Sequence, residues 1–334
     1  MQYRRVPNTT LRLSEIGFGC AGNSGLLVRG SRNEQSQTIA RALELGINYF
    51  DTAPDYGDGL AEENLGEVLR ALRQRPVITS KVEVRQDDLA DIAGHVVRSC
   101  EASLQRLRID RLDILQIHNG PVASGSPEGR GYRTLALEDY LRPGGALEGI
   151  VRLKTAGKIG DAGFACRGGD IGEVRALFST GEFRLINLPY TLINPSAGLS
   201  SPPAGEPDYG GVINDAGGCG VGCAIFSPLA GGVLTDAHLD GAAGHPLARP
   251  RDRSSADARR AQERARRVRF LARETGLTLA QAAYRFILMH EHVTTVIGGF
   301  SSQQQMEELV QASGMGPFGP DHMARLHTAW QADD

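Results

Sequence analysis

Four residues in the first part of the chain are of types that, brought together, move protons. Asp51, Tyr56, Lys81 and His118 supply a carboxylate, a phenol, an amine and an imidazole. A free phenol has a pKa near ~10 and is a poor acid at neutral pH unless a neighbouring cation stabilises its phenolate. Lys81 would supply that cation, and Asp51 would hold the ammonium charged and oriented. His118 would hydrogen-bond a substrate's carbonyl oxygen and set its angle. The chemistry that suits such a set is proton transfer coupled to hydride transfer.

Each of the four stands where an apolar run stops. Tyr49 and Phe50 lead to Asp51, after which Pro54, Asp55 and Gly57 make a turn that carries Tyr56. Val77-Ile78-Thr79-Ser80 stops at Lys81, and Leu112-Asp113-Ile114-Leu115-Gln116-Ile117 stops at His118. In a parallel barrel all such strand ends open on one face, so residues far apart in sequence can converge there. Singly, each has a plainer explanation: a helix cap, a turn aromatic, a solvated strand end, a polar residue at a sheet rim. Jointly, they point to catalysis.

Asp51-Thr52-Ala53 followed by Tyr56-Gly57, Gly59, Glu62 and Leu65-Gly66 resembles the signature of the aldo-keto reductases. Lys81 and His118 sit where that family keeps its lysine and histidine. Ser227-Pro228-Leu229-Ala230-Gly231-Gly232 and Val296-Ile297-Gly298-Gly299 extend the likeness over nearly the whole chain. The resemblance implies a (β/α)8 TIM barrel with an N-terminal β-hairpin and a C-terminal tail, residues 1–334 forming one domain. It implies NAD(P)-dependent reduction of an aldehyde or ketone, with Tyr56 as general acid. It also admits a sugar (aldose) dehydrogenase working in the oxidative direction, or a cofactor-binding, redox-sensing accessory subunit.

The family binds its nicotinamide cofactor without a Rossmann fold. By likeness, Asp51 borders the cofactor and Phe226 stands in the place of the aromatic residue that stacks on the nicotinamide. Ser227, Pro228, Leu229 and Gly231 would form the pyrophosphate loop. Gly298, Gly299, Ser301, Ser302 and Glu308 fall where the adenosine ribose and its 2′ substituent are held. Two departures stand out. Where the family has Ser-Asn after strand five, this chain has Ala165-Cys166 and then Arg167, leaving Asn187, in the place of a usual Gln, as the remaining amide. The stretch from Gly299 to Gln305 lacks the cation expected for a 2′-phosphate, so the cofactor is NADP or NAD, with Arg325 or an arginine of residues 249–253 able to reach in.

Composition fits this reading. A chain of 334 residues accommodates two average domains or one barrel. With 41% hydrophobic and 22% charged residues it resembles an ordinary soluble globular protein. No apolar run is long enough for a membrane span, and Met1-Gln2-Tyr3-Arg4-Arg5 leads into no signal-like core, so a cytoplasmic protein without a membrane partner is expected. Five scattered cysteines argue for reduced thiols. Cys219 and Cys223, with His238 and His245 downstream, lack zinc-ligand spacing, so no metal is expected. The net charge of −3 predicts no general attraction to nucleic acid. Residues 249–269 are rich in arginine, but Asp252, Asp257 and Glu263 are interleaved, which suits a solvated helix. Gly218-Cys219-Gly220-Val221-Gly222 has the wrong spacing for a dinucleotide fingerprint and reads as a turn.

The positioning elements follow from the alternation of strand and helix signals. Residues 2–13 predict a hairpin and 15–19 the first barrel strand, followed by a helix capped by Asn33. Helices are predicted at 62–72, 88–107 and 147–156, and strands five to eight at 161–165, 185–188, 221–226 and 294–297. Helices at 255–274 and 279–290 intervene before strand eight. Residues 118–145 read as a long Gly- and Pro-rich lid or substrate loop carrying Arg130 and Tyr132. Neither the carbonyl or sugar substrate nor the oligomeric state is specified by any of these motifs.

Overall fold

Short apolar runs alternating with amphipathic segments resolve into eight parallel strands that close on themselves. The structure, a computed structural model, describes residues 1–125, 134–199, 201–249 and 255–332. Two strands, β1 (Tyr3–Arg5) and β2 (Arg12–Ser14), form an antiparallel hairpin. The barrel runs through β3 (Ile16–Gly19), β4 (Tyr49–Asp51), β5 (Val77–Val82) and β6 (Leu112–Ile117). Two short strands, β7 (Gly120–Val122) and β8 (Thr134–Ala136), pair outside it. It continues through β9 (Ile159–Ala165), β10 (Phe183–Pro189), β11 (Gly222–Phe226) and β12 (Val293–Gly299), which pairs back to β3. This is the expected (β/α)8 barrel. The 118–145 segment departs from a bare loop, since β7, β8 and a short helix structure its flanks; Arg130 and Tyr132 lie outside the described residues.

The helices are α1 (Leu26–Arg29), α2 (Arg32–Glu44), α3 (Leu60–Leu72), α4 (Ile92–Leu107), α5 (Leu137–Leu141), α6 (Ala146–Thr155), α7 (Ile171–Ser179) and α8 (Val212–Gly218). Then come α9 (Asp236–Leu239), α10 (Ser255–Val268), α11 (Phe270–Thr275), α12 (Leu279–Leu288), α13 (Gln303–Val310) and α14 (Pro320–Gln331). Local chemistry shifts three of the expected boundaries. Ser31, not Asn33, caps α2, because Ser31 and Glu34 form a reciprocal capping box. The 88–107 segment divides into a 3₁₀ turn (Gln86–Asp91) and α4, because the Asp91 side chain leaves the helix path to accept from the Gly94 N–H. The 255–274 segment divides into α10 and α11 with only Arg269 between them, still in helical backbone conformation, its guanidinium paired with Asp236 and Asp240.

The barrel interior is filled by Tyr49, Ile114, Leu185, Ala224 and Ile297, and the hairpin closes its amino-terminal end with Val6, Leu11 and Leu13. Arg4 locks that plug: its guanidinium donates to the carbonyls of Leu288, His290 and Val293 and to Glu15. It thereby serves the Leu288 carbonyl at the end of α12, which has no intrahelical partner, and ties that helix to the start of β12. Glu62, fully buried on α3, accepts from Ser80 Oγ of β5 and pairs with Arg106 of α4 at 2.7 Å, fastening the outer helices to the strand that carries Lys81. With the amino-terminal end plugged and the interior apolar, the open end of the barrel is the carboxyl-end mouth.

Candidate active site

Strand register brings Asp51, Lys81 and His118 together, and the turn after β4 adds Tyr56. Asp51 ends β4 opposite Thr79 of β5, and Lys81 lies two residues further along, on the same inward face. Lys81 is in turn level with Gln116 of β6, and His118 is the next inward position, its N–H donating to Val82 O at 2.7 Å. Gly163 of β9 faces Gln116, and a Cβ there would stand 2.9 Å from Gln116 Cγ, so this glycine makes room for the amide.

Lys81, only 2% exposed, directs its ammonium to Asp51 Oδ1 at 2.5 Å, Thr52 O at 2.7 Å and Tyr56 OH at 3.4 Å. Three N–H bonds meet three acceptors. Asp51 Oδ2 accepts from Asn187 Nδ2 at 2.9 Å and Tyr49 OH at 3.4 Å, and Asn187 Oδ1 accepts from Gln116 Nε2 at 2.7 Å. A buried pair of opposite charges is sustainable only when its remaining bonding capacity is met in this way. Burial alone would pull the Lys81 pKa down, but Asp51, Tyr56 and Asp55 outweigh it and the net direction is upward, keeping the ammonium charged. For Tyr56 the balance falls differently from the sequence expectation of an acidified phenol. Burial is the larger influence, Lys81 opposes it, Asp51 and Asp55 add to it, and the phenol ends above its ordinary value.

His118 is buried, its ring edge-on to that of Tyr56 with centroids 6.0 Å apart. Its Nε2 lies 2.6 Å from Arg167 Nη1. Its Nδ1 lies 3.3 Å from Asp55 Oδ1, too poorly aligned for a full hydrogen bond. Burial pushes the His118 pKa down to about 4; Asp55 opposes this, and Lys81 and Arg167 reinforce it. Asp55 moves down to about 2, where the histidine contact, Lys81 and Arg167 overcome the upward pull of burial.

The His118 shift has a consequence for stability. The unfolded chain binds a proton near 6.5 that the folded chain refuses until about 4, so this group favours folding fully above pH 6.5 and progressively less as pH falls through that window, by about 3 kcal/mol in all. In His118→Gln, which keeps an acceptor for Arg167, the loss of urea stability between these pH values is expected to be shallower by about one proton. An unchanged slope would show that His118 titrates normally.

The remaining expected cofactor residues lie at the ends of β11 and β12, on the loops that follow them and, for Glu308, on α13. Phe226 is half-buried at the end of β11 beside Pro189. Ser227, Ala230 and Gly231 take positive φ values of 54°, 49° and 72°. Two non-glycine residues in that region are a costly arrangement that persists where a loop must turn its N–H groups to one side, which fits an anionic pyrophosphate. At the end of β12, a Cβ on Gly298 would meet the Phe300 ring at 2.2 Å. Ser301 donates from its hydroxyl to Ser24 O at 2.7 Å, and Ser302 caps α13. The Arg249 N–H donates to Asn23 O at 2.8 Å, so the loops after β3, β11 and β12 meet. Glu308 is turned elsewhere, its carboxylate accepting from Thr278, the cap of α12, at 2.6 Å. Arg325 is also committed: it pairs with Glu274 and stacks on Phe270 with Cζ 3.9 Å from the ring centroid.

The amide-bearing Ser-Asn of the family is replaced by buried Ala165 and by Cys166, a thiol whose pKa burial pushes up to about 12. Sequence reasoning singled out neither Asp55 nor Gln116 and left the direction of Arg167 open. Strand parity could have found Gln116, two residues before His118 on the same face. Cys223 is buried in β11 while Cys219 is exposed, and no cluster of metal-ligating side chains occurs among the described residues. No helix among them is long and apolar enough to cross a membrane.

An eight-stranded parallel barrel with carboxylate, phenol, amine and imidazole gathered at its carboxyl-end mouth defines a barrel protein built around a candidate acid–base centre. Residues 15–331 match the model of the Aldo/keto reductase family, and the chain belongs to that family. It is 27% identical to L-glyceraldehyde 3-phosphate reductase of Escherichia coli K12, over 99% of this chain and 95% of the relative. It is 27% identical to L-galactose dehydrogenase of Arabidopsis thaliana, over 93% and 88%. Among solved structures, aldo-keto reductase AKR11C1 of Bacillus halodurans in its holo form shares the fold, with a TM-score of 0.74 at 22% identity over 100% of this chain and 97% of the other.

Proposed function

We propose that the protein is an NAD(P)-dependent oxidoreductase that reduces an aldehyde or ketone to an alcohol, with Tyr56 as proton donor. The observation that carries this reading is the Lys81 ammonium, shared between Asp51, Thr52 O and the Tyr56 hydroxyl. Because the phenol oxygen accepts from Lys81, its own proton is directed away from the lysine and toward the mouth, where a substrate oxygen would lie. Asp51, Asn187, Phe226, the loop of Ser227, Pro228, Leu229 and Gly231, and Gly298, Gly299, Ser301 and Ser302 would hold the cofactor. A reduced nicotinamide, when bound, supplies a hydride. The relatives named as a reductase and a dehydrogenase support a small oxygenated carbonyl or sugar as substrate. We read residues 1–334 as one domain working in the cytoplasm.

Burial raises the Tyr56 pKa, so the phenol stays protonated through the neutral range. Reduction therefore needs no change of protonation state, whereas oxidation of an alcohol needs the phenolate and is favoured by alkali. A panel of aldehydes, ketones, quinones and free sugars, assayed with NADH and NADPH and in reverse with the oxidised cofactors, tests this. Reductive kcat is expected to be flat between about pH 6 and pH 9, and oxidative kcat to climb across the same range. A reductive rate that falls in step with rising pH near neutrality would remove Tyr56 as donor. The alternative favoured by the L-galactose dehydrogenase relative, oxidation of a free sugar, would appear as turnover confined to the oxidative direction. Tight cofactor binding with no turnover would favour the accessory-subunit reading instead.

A further inference from the structure

We infer that Gln116, to which the family resemblance gives no role, accepts the carboxamide N–H of the nicotinamide through its Oε1, in place of the pair replaced here by Ala165 and Cys166. The inference rests on the nicotinamide cofactor of the reading above and starts from Asp51, Asn187 and Gln116, each of which fixes how the next is turned.

The Asp51 carboxylate accepts from the Lys81 ammonium through Oδ1, and its Oδ2 is likewise an acceptor, so the end of Asn187 that meets it at 2.9 Å is the NH2. The carbonyl end of Asn187 is thereby turned to Gln116. The Gln116 group 2.7 Å from that carbonyl must in turn be its NH2. What remains is Gln116 Oε1, an acceptor in a fully buried side chain that finds no donor among the described residues. A buried amide oxygen in that position is costly unless a bound group supplies the hydrogen bond. Asn187, the amide expected to grip the nicotinamide, has both ends engaged within the protein and is a positioning residue for Gln116.

The place of Gln116 in the barrel selects the ligand group. It is level with Lys81 and one inward position below His118, deeper than the oxygen that Tyr56 and His118 would serve. It extends over β9 at Gly163, where a Cβ would stand 3.1 Å from Nε2, and the next inward position on β9, Ala165, offers a methyl group and no donor. Asn187 pairs with Ala165 on one side and with Ala224 on the other. Phe226, expected to carry the nicotinamide ring, is the next inward residue after Ala224. A ring resting on Phe226 has β10 and β9 as its neighbours, and of the two ends of its carboxamide only the NH2 suits Oε1.

The test is a binding titration, read by fluorescence or calorimetry, that needs no turnover. Wild type, Gln116→Met and Asn187→Leu are titrated with whichever of NAD and NADP binds more tightly and with two analogues of it. The thionicotinamide analogue keeps the NH2, and the 3-acetylpyridine analogue has a methyl group in its place. Wild type is expected to bind the acetylpyridine form roughly tenfold more weakly than the two forms that carry N–H. Gln116→Met is expected to weaken those two by a similar factor and to bind all three forms within about twofold of one another. In Asn187→Leu nothing holds the Gln116 amide in one sense, so it can turn and offer its NH2 to the acetyl oxygen, and the gap closes there too; a residue that only supported the fold would weaken all three forms equally. Equal binding of the nicotinamide and acetylpyridine forms by wild type would mean that water serves Oε1, and overturns the inference whatever the variants do. A gap that survives in either variant overturns it as well. Both results leave the oxidoreductase reading intact, whereas failure of wild type to bind NAD or NADP at all removes both.

Discussion

Tyr56→Phe is expected to lower kcat for carbonyl reduction by roughly 10²–10⁴-fold while leaving cofactor affinity within about twofold of wild type. The substitution removes one oxygen and little else. The hydroxyl's contact with Lys81 is long, at 3.4 Å, whereas the ammonium keeps its shorter bonds to Asp51 and Thr52 O. The ring keeps its edge-on packing against His118. Thermal unfolding should therefore move little, which separates a chemical defect from a structural one. The measurement is single-turnover hydride transfer, followed by the loss of reduced-nicotinamide absorbance, beside fluorescence titration of cofactor binding. If hydride transfer in the variant stays within a few-fold of wild type, the proton comes from elsewhere.

Lys81→Met should do the opposite to stability. It leaves Asp51 charged, 3% exposed and deprived of its partner, held only by Asn187 and the distant Tyr49 hydroxyl. Stranding one member of a buried pair costs about 3–5 kcal/mol, and activity would disappear with it. Because the loss comes from the uncompensated carboxylate, Lys81→Met/Asp51→Asn should be more stable than Lys81→Met alone, although equally inactive. Urea midpoints for the two single variants and the double variant provide the cycle. A double variant no more stable than Lys81→Met would mean that the lysine stabilises through packing and not through its charge.

The barrel was legible in the chain because its strands are apolar runs that end on a chemically distinct residue; Asp51, Lys81 and His118 each mark such an end. Register then carries them to one place, since parallel strands leave little freedom in where an inward side chain can appear. What local pattern could not supply was direction. Arg167 follows a strand end like the others, but only the path of the chain through Gly168 and Gly169 back to Pro121 decides that its guanidinium meets an imidazole. The tie of Glu308 was equally invisible: one of its carboxylate oxygens accepts from Thr278, the cap of a neighbouring helix, a contact no local pattern records. The start of α4 at Asp91 was missed because that residue caps through a side-chain bond, and periodicity does not record it. The net direction of the Tyr56 pKa escaped because it depends on how much water the finished cleft excludes.

The pairing of β3 with β12 has a temporal meaning as well. Ile16 lies beside Val296 and Gly19 beside Gly299, so the first barrel strand to leave the ribosome waits for the last. Throughout synthesis the incomplete sheet has two unsatisfied margins, each able to recruit a stranger. Nascent chains cut short before β12 would keep those margins permanently, and should be recovered as aggregates or chaperone clients and never as smaller barrels.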